Sequence, residues 1–253
     1  MFDEIVFGPV ISRRLGVSLG INLMPLTNKL CTFNCIYCEC GWTEDDEHDN
    51  KLPRSEEVKN ALRNKLAELK NSNQEIDSIT FAGNGEPTLH PAFAEIVDIT
   101  VALRDEYFKD AKITLLSNSS MLHKADILKA LQKIDNNVLK LDAGTEQTFQ
   151  LVNKARNEIK LSDIVDNLKK FEGNLIIQTL FIRGEFEGSK IDNTTEEELF
   201  FWLKHISEIN PKLVMIYPAD RDTPAENLEK ISQEELKTIA EKVEKLGIKT
   251  EVY

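Results

Sequence analysis

Residues 31–41 read Cys31-Thr32-Phe33-Asn34-Cys35-Ile36-Tyr37-Cys38-Glu39-Cys40-Gly41, and this stretch decides how the rest of the chain is read. All 4 cysteines of the 253-residue chain lie in it. A disulfide framework would spread its cysteines to close loops. The run reads instead as a metal site. Structural zinc prefers two separated knuckles that converge as a tetrahedron. Closely spaced thiolates on one loop suit three corners of an iron–sulfur cube. The spacing Cys31-x3-Cys35-x2-Cys38 therefore favours iron–sulfur, with zinc as the alternative. Phe33, Ile36 and Tyr37 are expected to shield such a cluster from water, because surrounding polarity tunes its potential. Cys40 is left over, as an unused thiol, a redox-sensitive thiol or a hydrogen-atom donor.

Composition narrows the class. Hydrophobic residues are 41% and charged residues 29%, the mix of a globular chain and not of a disordered or fibrous one. No run approaches the apolar length of a membrane helix. The start, Met1-Phe2-Asp3-Glu4, carries acids where a signal peptide has a basic region. A cytoplasmic protein without a membrane partner is expected. Lys and Arg number 31 against 43 Asp and Glu, a net charge of −12. That sign counts against a nucleic-acid partner. Arg13, Arg14 and Lys29 are the basic cluster free of acids, and surface ion pairs of the two arginines are the favoured reading.

Working outward from the cysteines, strands and helices alternate. Strands are expected at 18–23, 77–82, 112–116, 138–141, 174–182, 213–217 and 248–252. Helices are expected from Ser55, as N-cap, to Lys70, then at 91–104, 123–132, 145–153, 161–171, 195–209 and 232–246. The stretch 183–189 reads as a loop and lid, and acidic 44–49 as a solvated loop. Such alternation argues a parallel sheet with helices outside. The expected fold is α/β, an incomplete parallel (β/α)6-type barrel. It forms one domain over residues 1–253, with 1–30 leading into the cysteine loop.

In such folds active sites form at the C-terminal ends of strands. After the second expected strand comes Gly83-Asn84-Gly85-Glu86-Pro87, small residues beside a carboxylate. After the third comes Ser117-Asn118-Ser119, able to hydrogen-bond a ribose or a carboxylate, or simply a turn. Asp142 follows the fourth, with Lys140 close by. Asp142 is either a helix-capping acid or a ligand contact. Gln178 lies in the apolar fifth strand, satisfying a core partner or facing the barrel lumen. Arg183 follows that strand. Tyr217, Asp220 and Arg221 mark the sixth, where Asp220 and Arg221 pair with each other or line a mouth. His48, His90, His123 and His205 have no partners at metal spacing; His90 is expected at the surface or as a cap.

The segments 7–25, 31–41, 79–91 and 215–232 together resemble the radical S-adenosylmethionine (SAM) superfamily, in the branch of wyosine-type tRNA-modifying enzymes. The resemblance implies that Cys31, Cys35 and Cys38 hold a 4Fe–4S cluster and that SAM chelates the open iron. It implies that Gly85 and Glu86 bind the SAM amino group. Ser117, Asn118, Asp142, Gln178 and Arg183 then serve cofactor or substrate, and Cys40 is a candidate catalytic thiol. An electron from a flavodoxin or ferredoxin would cleave SAM to methionine and a 5′-deoxyadenosyl radical, which takes hydrogen from a substrate. The substrate stays open among a small molecule, an RNA base and a protein, the last making the chain an activase. A metal-binding regulator is the non-catalytic alternative. Two departures stand out. The family's usual third residue at 117–119 is glycine, here Ser119. The wyosine enzymes carry upstream cysteines for a second cluster, and this chain has none outside 31–40.

Overall fold

The computed structural model describes residues 1–43, 51–220 and 223–253. The acidic stretch with His48, and Arg221, lie outside them. No helix among the described residues is long and apolar enough to cross a membrane. The chain divides into two compact units.

Unit one comprises Met1–Cys31, Thr43–Ser117 and Met121–Asn137. Strand β1 (Val6–Ser12) runs antiparallel to β2 (Gly16–Ile21). β2 then pairs in parallel with β3 (Ser78–Phe81), and β3 with β4 (Lys112–Ser117). Helices α1 (Ser55–Asn71), α2 (Phe93–Tyr107) and α3 (Ala125–Leu131) follow their strands. Leu19, Ile21, Ile79, Phe81, Ile113 and Leu115 are fully buried, as parallel strands covered by helices require. The alternate residues form a hydroxyl ladder: Ser18 meets Thr80 at 2.7 Å, and Ser78 donates to Thr114 at 2.9 Å.

Three expectations change here. β1 was not expected; it exists because it pairs with β2 and lays the Phe7 ring over Gly20, where a Cβ would sit 2.1 Å from that ring. Helix α1 is capped by Arg54, not Ser55: the Glu57 carboxylate accepts the Arg54 backbone N–H at 2.7 Å, while Ser55 Oγ donates to Glu95. Helix α2 starts at Phe93, after a turn in which Pro91 takes no helical place.

Unit two comprises Thr32–Trp42, Asn118–Ser120 and Val138–Tyr253. Strands β5 (Asn136–Lys140), β6 (Ile176–Phe186), β8 (Leu213–Pro218) and β10 (Thr250–Val252) are parallel neighbours in that order. Helices α4 (Glu146–Asn153), α5 (Leu161–Lys169), α6 (Glu196–Ile209) and α7 (Gln233–Glu244) connect them. Thr145, Thr195 and Ser232 cap α4, α6 and α7 through their side chains.

The expected lid at 183–189 is instead an extension of β6. It turns back at Glu187 and Gly188, both at positive φ, into β7 (Ser189–Asp192). A second antiparallel strand, β9 (Leu228–Lys230), pairs with the same part of β6. Backbone pairing on this stretch outweighs its polar composition.

Candidate functional site

In unit one the turn after β3 grips the residue that precedes Cys31. Leu30 N–H donates to the Asn84 carbonyl at 2.9 Å, and Glu86 N–H donates to the Leu30 carbonyl at 3.1 Å. Gly85 has φ +145°, and a Cβ there would lie 1.8 Å from the Leu30 oxygen. Only glycine permits that approach. Asn84 is wholly buried and ties in the N-terminal segment. Its amide donates to the carbonyls of Phe2 and Pro25, and its oxygen accepts Phe2 N–H at 2.8 Å.

Glu86 is 1% exposed. Its Oε1 accepts Thr88 N–H at 3.1 Å, the Thr88 hydroxyl at 2.5 Å and the Ser117 hydroxyl at 2.8 Å. It thereby caps the short 3-10 turn Pro87–Leu89. Three neutral donors on one oxygen hold the carboxylate in a single orientation. His90 is buried, not at the surface. Its Nδ1 accepts Ala92 N–H, which leaves Nε2–H to donate to the Pro53 carbonyl at 2.8 Å. Burial lowers its pKa, against the pull of the Pro53 hydrogen bond.

Lys29 is 4% exposed, so Arg13, Arg14 and Lys29 are not one surface patch.

In unit two the cysteine loop is fastened along its length. Asn34 N–H donates to the Asn153 carbonyl and Ile36 N–H to that of Val152, both at 3.0 Å. Phe33 meets Phe149 edge-on, with centroids 5.4 Å apart. Thr32 Oγ1 accepts the Asn118 amide at 2.9 Å, and its hydroxyl meets that of Ser120 at 2.7 Å. Asn118 Oδ1 in turn accepts Ser120 N–H. Ser119 sits at φ +70°, the left-handed region that glycine occupies without strain. Turns Cys35–Cys38 and Cys38–Gly41 follow, each closed by a backbone hydrogen bond, and Cys40 sits in the second. None of the four cysteines is in a disulfide, and Cys35 is the buried one.

Behind Cys35 lies a polar network. The Lys140 ammonium and the Tyr37 hydroxyl bond each other, and both bond Asp142 Oδ2, Lys140 at 3.1 Å. Asn153 Nδ2 donates to the same oxygen at 2.8 Å and to Cys35 Sγ at 3.4 Å. Asp142 Oδ1 accepts Leu180 N–H at 2.9 Å. Asp142 is therefore not the cap of α4; Thr145 is. Burial opposes the Lys140 charge, but Asp142, Tyr217 and Cys35 outweigh it and push its pKa up. Burial, then Asp142, holds Tyr37 protonated well above its ordinary pKa. Burial, partly offset by Lys140, raises the Cys35 thiol.

The remaining candidates divide. Gln178 pairs with Lys140 across the sheet, on the β6 face opposite Thr179, whose hydroxyl meets Trp202 of α6. Arg183 binds Thr194 Oγ1 at 2.6 Å and the Glu235 carboxylate. Asp220 pairs with Lys230 of β9. Asn153 gains a site context that its sequence position did not announce, while Tyr37, expected as a shield, and Lys140, expected near Asp142, are joined in one network. For Asn153 one signal existed: it lies four residues after Phe149, on the buried stripe of α4, where an apolar residue is expected.

The donor chemistry fits an iron–sulfur cluster: reduced thiols on one loop, with an amide N–H directed at a thiol sulfur. Among the described residues no three His, Cys, Asp or Glu groups are arranged to hold a single metal ion.

Comparison with known proteins bears on the family. Residues 26–189 match the Radical SAM superfamily. The chain is 32% identical to a protein of Brachyspira hyodysenteriae named GTPase Obg over 91% of this chain, but spans only 32% of that protein. It is 32% identical to a UPF0026 protein of Helicobacter pylori, over 92% of this chain and 71% of the other. A radical SAM methyltransferase from Sphaerobacter thermophilus shares the fold at TM-score 0.68 and 13% identity, covering 93% of this chain and 65% of that one. The fold class is the expected one, α/β of the incomplete (β/α)6 type. With a family match over most of its length, the chain belongs to the radical SAM superfamily, whose enzymes use a 4Fe–4S cluster and S-adenosylmethionine.

Proposed function

We propose that this chain is a radical SAM enzyme that abstracts a hydrogen atom from its substrate. Cys31, Cys35 and Cys38 would hold the 4Fe–4S cluster. With SAM and one electron from a flavodoxin- or ferredoxin-like donor, that group supplies a 5′-deoxyadenosyl radical. The observation that carries the reading is the loop itself: three thiols at the family spacing, rooted by backbone hydrogen bonds to Val152 and Asn153.

The remaining roles belong to the chain's own residues. Gly85 and Glu86 receive the SAM amino group; in support, a carboxylate held in one orientation by Thr88 and Ser117 suits an ammonium. Ser117 steadies Glu86, and Asn118 secures Thr32. Gln178 contributes from the β6 face that bears away from Trp202. Asp142 acts as a positioning residue, since protein partners take up both of its carboxylate oxygens, and Arg183, held at one guanidinium nitrogen by Thr194 and Glu235, serves cofactor or substrate. Cys40 lies outside the ligand set and is the candidate hydrogen-atom donor.

The test is anaerobic reconstitution with iron and sulfide, then metal analysis and electron paramagnetic resonance (EPR) of the reduced protein. About four irons per chain, a SAM-dependent change in the EPR signal and release of 5′-deoxyadenosine are expected. Zinc in place of iron, or a reduced cluster indifferent to SAM, would overturn the proposal.

A further inference from the structure

Asn153 stands at the end of α4, fully buried, with a single side-chain nitrogen facing two acceptors. One N–H goes to Asp142 Oδ2 at 2.8 Å and the other to Cys35 Sγ at 3.4 Å. The orientation is set by chemistry. Flipping the amide would put its oxygen against a carboxylate oxygen that has only lone pairs. Asp142 is itself held from four sides, by Lys140, Tyr37, Asn153 and the Leu180 backbone. The second N–H is thus aimed at the Cys35 sulfur by a chain of contacts that starts at the partly buried Lys140 ammonium. Among the described residues Asn153 Oδ1 has no hydrogen-bond partner. A buried amide that leaves its oxygen unsatisfied gives up a hydrogen bond worth having. What the residue keeps is the pair of N–H donors.

We infer that Asn153 is a positioning residue that tunes the iron–sulfur cluster, by donating a hydrogen bond to the Cys35 thiolate. The inference rests on the reading of Cys35 as a cluster ligand. Hydrogen bonds to cluster sulfurs draw off negative charge and favour the reduced, more negative state. Asn153 therefore makes the cluster easier to reduce, and a weaker reductant suffices. Asp142 serves the same end one step back, because it fixes which way the amide points.

The experiment is EPR-monitored redox titration of the reconstituted full chain, wild type against Asn153→Leu and Asn153→Ser, with dithionite as reductant. Asn153→Leu keeps the volume and removes both donors, and its midpoint is expected to move negative. A tenfold fall in the reduced-to-oxidised ratio at fixed potential corresponds to 59 mV for a one-electron couple. Asn153→Ser, with one hydroxyl donor, is expected between the two.

A second readout needs no variant. Electron–nuclear double resonance of the wild-type reduced cluster in H2O and D2O should show an exchangeable proton strongly coupled to the cluster, from the Asn153 amide. In Asn153→Leu that coupling is expected to disappear. If the wild type loads no four-iron cluster, the ligand reading fails. If the wild type loads it but shows no exchangeable coupling, or the variants keep its midpoint, the ligand reading stands and the role of Asn153 is overturned.

Discussion

Two regions of this molecule do comparable work by different means. The turn Gly83–Glu86 after β3 is built from consecutive residues and holds the chain just before Cys31. The network around Asp142 holds the chain from Cys35 to Tyr37, and its members are scattered: Tyr37 lies 105 residues from Asp142, and Cys35 lies 118 from Asn153. The turn relies on sterics, a missing Cβ at Gly85 and a backbone pair with Leu30. The network relies on buried charge and on donors that must all be satisfied together. The difference teaches that a motif is legible where its chemistry is local, and hidden where the partners meet only after folding.

The sharpest way to break this comparison lies in the cysteine loop. Cys35→Ala is expected to abolish cluster loading, with iron falling from about four per chain to near none, whereas Cys40→Ala keeps it. If Cys40→Ala also empties the site, four thiolates are needed and the three-cysteine cube with an open iron is wrong.

Next in size is Asp142→Ala. It strands the Lys140 ammonium and the Tyr37 hydroxyl in a buried site, and is expected to cost about 3–5 kcal/mol in urea unfolding. Asp142→Asn, which keeps an acceptor, should lose less. A loss below about 1 kcal/mol would mean the network is not closed, since such losses belong to exposed pairs.

Gly85→Ala drives a methyl group into the Leu30 carbonyl at a positive φ. It is expected to cost about 3 kcal/mol, from strain and overpacking together. Since Leu30 adjoins Cys31, cluster loading should fall as well. Normal loading and stability would show that the turn is not what holds the loop.

The smallest effect is a pH dependence at His90. Its pKa is lowered by burial, so the unfolded chain binds the proton more readily than the folded one. The stability of the neutral ring is fully present above about pH 6.5 and declines as the pH falls toward the folded pKa. The advantage of wild type over His90→Gln, measured by urea unfolding, should shrink between pH 7 and pH 5. A pH-independent difference would remove the proton from the account.

Much of the architecture was legible in the order of residues. Apolar runs such as Ser78–Phe81 and Leu213–Pro218, and stripes such as Val58, Leu62, Leu66 and Leu69, lie where their periods put them. The misreadings share a cause. Residues 183–186 look like a loop by composition, yet join β6 because β7 and β9 pair with them. β1 forms because β2 accepts it. His90, expected at the surface or as a cap, is buried and ends the 3-10 turn with its ring on the Pro53 carbonyl. In each case a partner distant in sequence outweighs local preference.

By itself, the order of residues determined the family, the cysteine loop, and the glycine and carboxylate of the turn after β3. These depend on residue type and spacing along one short stretch, which the chain carries whether folded or not. Only the tertiary structure decided that Asp142 serves Tyr37 and Cys35 instead of capping a helix, that Asn118 secures Thr32, and that Asn153 aims an N–H at a thiol sulfur. A hydrogen bond needs its two partners within about 3 Å, and for residues a hundred positions apart only the folded path of the chain supplies that proximity.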